Sequence, residues 1–267
     1  MHIIDFHVHV YPDALAERAT RATCDFYGLD TPAVGSVEQL LRLGGAAGIS
    51  HYVLHPVAVH PTGVRRVNEF IVDTVRSNPV FSGFGTVHPD MTGLWEELDY
   101  IRAAGLKGLK LHPDMQAVNT DDPRLDELYA WLAETELPLL IHCGDATRDF
   151  SHPRRLKRAL ERHPNMRVVA AHLGGWSHWD DALECLGDKS CYLDASSCAP
   201  YMPRERLLGL IRSYGAERVL FGTDFPVGLP GDEVEVLLSL PLTEQERQRI
   251  ACGNAQELLG LSFQENS

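Results

Sequence analysis

The chain has 267 residues, 44% hydrophobic and 23% charged, a balance that suits a full-sized buried core and gives no sign of disorder. Its net charge of −13, with 24 scattered Lys and Arg, argues against a nucleic-acid partner, because phosphate binding needs a clustered basic surface. No apolar run reaches bilayer length and the N-terminus opens directly into a strand pattern, so a cytoplasmic protein without membrane contact is expected, acting on a small-molecule substrate.

The first predicted strand, 3–9, lies in MHIIDFHVHV. Side chains of a regular strand alternate between faces, which places Asp5, His7 and His9 on one face and Ile4, Phe6, Val8 and Val10 on the other. Two neutral imidazoles two residues apart on one face can hold a single ion. Asp5 is expected to orient a liganding histidine or the strand terminus rather than bind the ion itself. Phe26 and Tyr27 are placed in the loop after this strand, as a lid or pocket wall.

Further strands are predicted over 52–57, 81–87, 107–112, 138–143, 167–172, 191–195 and 218–223, making eight. Helical stretches fall between them at 37–47, which opens on a Ser36/Gln39 capping box, and at 65–77, 93–104 and 123–135. A last helix, 243–252, opens on a Thr243/Glu246 box. Eight strand–helix units at about 33 residues each predict an α/β fold, a closed parallel (β/α)8 TIM barrel formed by 1–267 as a single domain. An open doubly wound sheet is the alternative, weakened by the absence of a glycine-rich phosphate fingerprint after strand 1. The six cysteines form no CxxC pair and read as reduced thiols.

Polar residues fall at the C-terminal ends of these apolar strands: His142 in PLLIHCG, His172 in VVAAHLGG and Asp224 in VLFGTDFP. A parallel barrel opens all its strand ends onto one face, where its active sites are built. His7, His9, His142 and Asp224 then form a set of three nitrogens and one oxygen that suits Zn²⁺ best and tolerates Mn²⁺, Fe²⁺ or Ni²⁺. His55, His88 and His112 also end strands, each before a proline, and are open to either a structural or a pocket role. Arg65 and Arg66 could clamp a substrate carboxylate or simply start a solvated helix. Trp176, His178 and Trp179 are placed in the loop after strand 6, and His2, His51, His152 and His163 on the surface.

The ordered set of HxH on strand 1, GLKLHP on strand 4, histidines ending strands 5 and 6, and TDFP on strand 8 resembles the amidohydrolase superfamily. The likeness is to the amidohydrolase 2 branch, which also contains decarboxylases such as aminocarboxymuconate semialdehyde decarboxylase. It extends through Gly253-Asn254-Ala255. The resemblance implies one divalent metal held by His7, His9, His142 and Asp224, with His172 transferring a proton or polarising the substrate. Other branches of the superfamily bridge two metals with a carboxylated lysine on strand 4; Lys110 is read here as a polar pocket residue. Three activities share this site: hydrolysis of an amide, ester or lactone by metal-activated water, non-oxidative decarboxylation of an aromatic or unsaturated carboxylic acid, and non-catalytic metal binding. A homo-oligomer is left open.

Overall fold

A computed structural model describes residues 1–262. Nine short strands occur in chain order: β1 (Ile4–Val8), β2 (His51–Leu54), β3 (Phe81–Gly83), β4 (Gly85–Thr86), β5 (Leu109–Leu111), β6 (Leu139–Ile141), β7 (Val168–Ala170), β8 (Tyr192–Asp194) and β9 (Val219–Leu220). Neighbours pair in parallel, β1 to β3 and then β4 to β9. The third and fourth strands are one stave interrupted at Phe84, whose N–H still donates to Leu54 O (2.9 Å) before Gly85 N–H turns to Gly108 O (2.9 Å). The ends are joined by Phe6 N–H to Phe221 O (2.9 Å) and Asp224 N–H to His7 O (2.7 Å). Eight staves therefore close a (β/α)8 barrel, as the sequence predicts.

The helices are α1 (Asp13–Tyr27), α2 (Val37–Ala46), α3 (Val64–Ser77), α4 (Leu94–Ala103), α5 (Pro113–Gln116) and α6 (Asp126–Thr135), followed by α7 (Pro153–Arg162), α8 (Trp179–Leu186), α9 (Arg204–Tyr214), α10 (Pro230–Ser239), α11 (Glu244–Gln248) and α12 (Asn254–Leu259). The Thr243/Glu246 box forms in full. Only half of the Ser36/Gln39 box does: Ser36 accepts Gln39 N–H, while the Gln39 side chain turns to Val34 N–H. Phe26 and Tyr27 lie in the last turn of α1, not in a loop, and Trp179 begins α8. No described helix is long and apolar enough to cross a membrane.

Alternation along each strand divides the apolar residues into two cores. Ile4, Phe6, Val53, Phe84, Leu140, Val169 and Leu220 fill the barrel interior, closed from below by Cys252, Ala255, Leu258 and Leu259. Leu54, Leu109, Leu111, Leu139, Ile141, Val168, Leu193 and Val219 face the helices. β1 breaks its own alternation. Its register against β2 slips between Asp5 and Val8, so three residues span what two span opposite. Such a bulge re-aims side chains. Phe6 belongs to the interior core and Val8 to the outer one, while Asp5 turns to Thr223, accepting from its N–H (2.9 Å) and Oγ1–H (2.7 Å). The face shared by Asp5, His7 and His9 in a regular strand is thus divided, leaving the two histidines inside and Asp5 tying β1 to the β9 end.

Candidate metal centre

The C-terminal mouth of the barrel is a cavity of about 380 Å³. On its floor, His7 Nε2 stands 3.1 Å from His9 Nε2, and Asp224 Oδ1 lies 3.5 Å from the first and 3.3 Å from the second. The other ring nitrogens decide what these atoms present. His9 Nδ1 lies 2.6 Å from His55 O and His7 Nδ1 lies 3.1 Å from Asp194 Oδ2, and neither oxygen can donate. Both Nδ1 atoms therefore carry the hydrogen, and both Nε2 lone pairs point at a carboxylate oxygen and at each other. Three acceptors converge, an arrangement that a cation would satisfy. Ligands about 2.0–2.1 Å from one tetrahedral ion stand roughly 3.3 Å apart, and the three edges here measure 3.1, 3.3 and 3.5 Å.

Burial, then the charge of Lys110, hold the His7 imidazole well below its ordinary pKa, so it is neutral and fit to ligate. Burial pushes the Asp224 carboxyl up, but its close contact with His9 and the charges of His172 and Lys110 outweigh that and leave it below the usual carboxylate range. Lys110, fully buried on β5, places Nζ 3.0 Å from His7 Nε2. Burial brings its pKa down to about 8, against the pull of Asp224 and Asp194.

His142 and His172 form the opposite side of the floor. His142 Nε2–H donates to Gly144 O (2.9 Å) and His172 Nδ1–H to Ser196 O (3.0 Å), which turns His142 Nδ1 and His172 Nε2 onto each other at 3.0 Å. Two lone pairs at that distance hold a shared proton or a cation. The structure thus brings His7, His9 and Asp224 into one group, while His142 is paired with His172 and stacked on His112, ring centroids 4.1 Å apart.

Asp194, at the end of β8, did not stand out in the sequence. It accepts from His7 Nδ1–H, from Ser196 N–H (3.0 Å) and from Ser196 Oγ–H, and so fixes the tautomer of His7 from a buried position. Its signal was the segment YLDASS ending a predicted strand, the same placement that singles out His142 and His172. The floor loops also carry backbone strain: His172, Leu173, Ser197 and Asp224 all have φ between 52° and 59° without being glycine.

The walls are aromatic and aliphatic, with Tyr11, Phe26, Tyr27, Trp176 and Tyr201 among the lining side chains. His112 Nδ1 accepts Met115 N–H (3.3 Å), so its Nε2–H donates to the Tyr27 hydroxyl oxygen (2.7 Å). The Tyr27 oxygen also lies 3.2 Å from His142 Nε2, which carries its own hydrogen, so neither imidazole takes the Tyr27 O–H.

Several expected residues lie elsewhere. Arg65 does not line the cavity: its Nε pairs with Glu97 (2.8 Å) and its guanidinium covers the Tyr100 ring at 3.9 Å. An amphipathic α3 turns this position toward α4 rather than the barrel mouth. His55 also stays behind the floor, where its Nε2–H donates to Phe6 O (2.7 Å) and its own carbonyl orients His9. His88 caps a turn through Asp90 N–H (3.1 Å). His51, expected on the surface, is buried against Ser82 Oγ (2.9 Å) because β2 lies inside the sheet. His152 and His163 are partly buried and pair with Asp181 and Asp126.

The amidohydrolase family pattern matches residues 4–261. None of the curated proteins compared is similar to the chain in sequence. Among solved structures, an uncharacterized TIM-barrel protein from Bordetella bronchiseptica is similar over 97% of this chain and 99% of its own, with TM-score 0.82 and 22% identity. A 2,6-dihydroxybenzoate decarboxylase complexed with 2,6-dihydroxybenzoate is similar over 98% and 100%, with TM-score 0.75 and 16% identity. A dihydroxybenzoic acid decarboxylase from Polaromonas, with bound manganese and 2-nitroresorcinol, is similar over 99% and 98%, with TM-score 0.73 and 17% identity.

Proposed function

The chain belongs to the amidohydrolase family, and from that premise we propose that it is a divalent-metal-dependent carboxy-lyase acting on a small aromatic or unsaturated carboxylic acid. The observation that carries this reading is a floor of converging acceptors and one ammonium beneath a wall of aromatic rings. Decarboxylases of similar fold, one with manganese, support it over the hydrolase reading. We assign His7, His9 and Asp224 as ligands present in the described geometry, with His142 joining by rotation of its ring. A cation bound there supplies an electrostatic anchor for the carboxylate or a neighbouring oxygen. Zn²⁺ and Mn²⁺ both suit this donor set.

The protein's own groups do the rest. Lys110 Nζ holds a positive charge at the floor, where it attracts a carboxylate out of water. Aromatic walls accept a flat ring and keep the site dry, which strengthens each of these electrostatic contacts. Tyr27 O–H is free to donate to a substrate oxygen. Once His142 turns to the cation, His172 Nε2 is left facing the floor, and a proton held there is the one positioned to replace the carboxyl group, so that R–CO₂⁻ and H⁺ become R–H and CO₂, with solvent restoring the proton.

The test is to incubate the metal-replete protein with hydroxybenzoates and unsaturated carboxylic acids while measuring CO₂, alongside a panel of esters, amides and lactones. CO₂ release that disappears in Asp224→Asn is the expected result. Turnover of the esters or lactones without any CO₂ selects the hydrolase instead.

A further inference from the structure

We propose a second divalent-cation site, of zinc class, outside the cavity, formed by His152, His178 and Asp181. His152 immediately precedes α7, His178 immediately precedes α8, and Asp181 lies in the first turn of α8. Asp181 Oδ2 is 3.3 Å from His152 Nε2 and 3.4 Å from His178 Nδ1, and all three atoms lie within 4.8 Å of one another. The two measured edges match the roughly 3.3 Å between ligands of one tetrahedral ion. The imidazoles are close neighbours, ring centroids 4.7 Å apart.

The tautomer of His178 is what makes this more than a surface ion pair. Its Nε2 lies 3.1 Å from the carbonyl of Asp145, which can only accept, so Nε2 carries the hydrogen. Nδ1 then aims a lone pair at a carboxylate oxygen, an arrangement satisfied by a cation between them or by a proton on Nδ1. His152 is the adaptable partner: its Nδ1 accepts Arg154 N–H (3.3 Å) as a helix cap, and it yields that bond when Nε2 ligates. Two imidazoles and one carboxylate prefer Zn²⁺ and its neighbours in the first transition row over Mg²⁺ or Ca²⁺. Three protein ligands leave a fourth position for water.

The site bridges two loops that matter. One runs from His142 to His152 and the other from His172 to His178, so an ion here would fasten together the segments carrying the two proton-sharing imidazoles and Trp176. The proposal does not rest on the carboxy-lyase reading.

Equilibrium dialysis of the full chain against Zn²⁺, with elemental analysis, tests it. The wild type is expected to hold one more equivalent than the double variant His152→Asn/His178→Gln, in which Asn preserves the α7 cap. Asp181→Asn, a half-exposed position that leaves folding intact, is expected to weaken that equivalent about tenfold or more. A pocket variant, His9→Gln, is expected to retain it. Equal zinc content and affinity in the wild type, the double variant and Asp181→Asn would show an ion-paired histidine only and overturn the proposal.

Discussion

Which lone pair a histidine can offer is set by what its second nitrogen touches. His7 owes its inward lone pair to Asp194, His9 to the carbonyl of His55, and His172 to the carbonyl of Ser196. In each case an oxygen that cannot donate dictates the tautomer, so the orientation is set by a neighbour remote in sequence. Asp194→Asn is the discriminating substitution. An amide can present its NH₂ to His7 Nδ1, which would turn the ring hydrogen to Nε2 and block ligation. Metal affinity is expected to fall about 10–100-fold while the circular dichroism spectrum stays unchanged. Unaltered affinity in a dialysis measurement would remove Asp194 from the site. The HxH pair itself was legible in the sequence, but the bulge in β1 that divides Asp5 from the two histidines was not. A bulge depends on how two strands register, and one strand's residues do not state it.

Among the elements, α12 has the most specific task. Its Ala255, Leu258 and Leu259 pack against Ile4, Phe6, Leu140 and Val169 and so stopper the barrel at the end opposite the site. A π-helical turn at Arg249–Gly253 leads into it, offering Ile250 O to Phe221 N–H (2.9 Å), while Asn254 Nδ2 donates to Ala216 O and Val219 O (2.7 Å each). Truncating a buried leucine removes apolar contact and leaves a void. Leu258→Ala is expected to cost about 2–5 kcal/mol in urea unfolding, with ligand affinity at the far end of the barrel little changed. Retained stability would mean that the stopper is dispensable. Strands were legible as elements because parallel barrel strands are short continuous apolar runs between turns. α1 and the four helices from α7 to α10 are absent from the helices read in the sequence. α7, for instance, reads PRRLKRALER, in which only Leu156, Ala159 and Leu160 are buried beside its first proline.

For the molecule as a whole, burial of so many ionisable groups makes stability depend on pH. His51 is held down to about 4 by burial, and burial also keeps His55, His112 and His142 well below the ordinary value. A histidine whose folded pKa is depressed contributes stability that is present above its unfolded value near 6.5 and lost as pH falls toward the folded one. For His51 the loss between pH 6.5 and 4 is on the order of 3 kcal/mol. Asp5, pushed up to about 7, and Glu233, to about 8, run the other way: the unfolded chain ionises them first, so stability falls as pH rises from the ordinary carboxylate range toward those values and is level above them. His51→Gln is therefore expected to flatten the acid limb of a melting-temperature profile between pH 6.5 and 4 without altering the alkaline limb. Parallel profiles for the two proteins would contradict the assignment.

The order of apolar strands and the polar residues ending them determined the barrel, its single open face and the candidates His7, His9, His142, His172, Lys110 and Asp224, because strand periodicity and parallel pairing are local rules with one global solution. Tertiary structure alone decided which of these meet: three acceptors in one group, His142 turned to His172, Arg65 sent to α4 and Asp194 placed behind His7. Those outcomes depend on register, on a bulge and on hydrogen-bond partners up to 187 residues away, and distance in the chain carries no information about which way an imidazole turns.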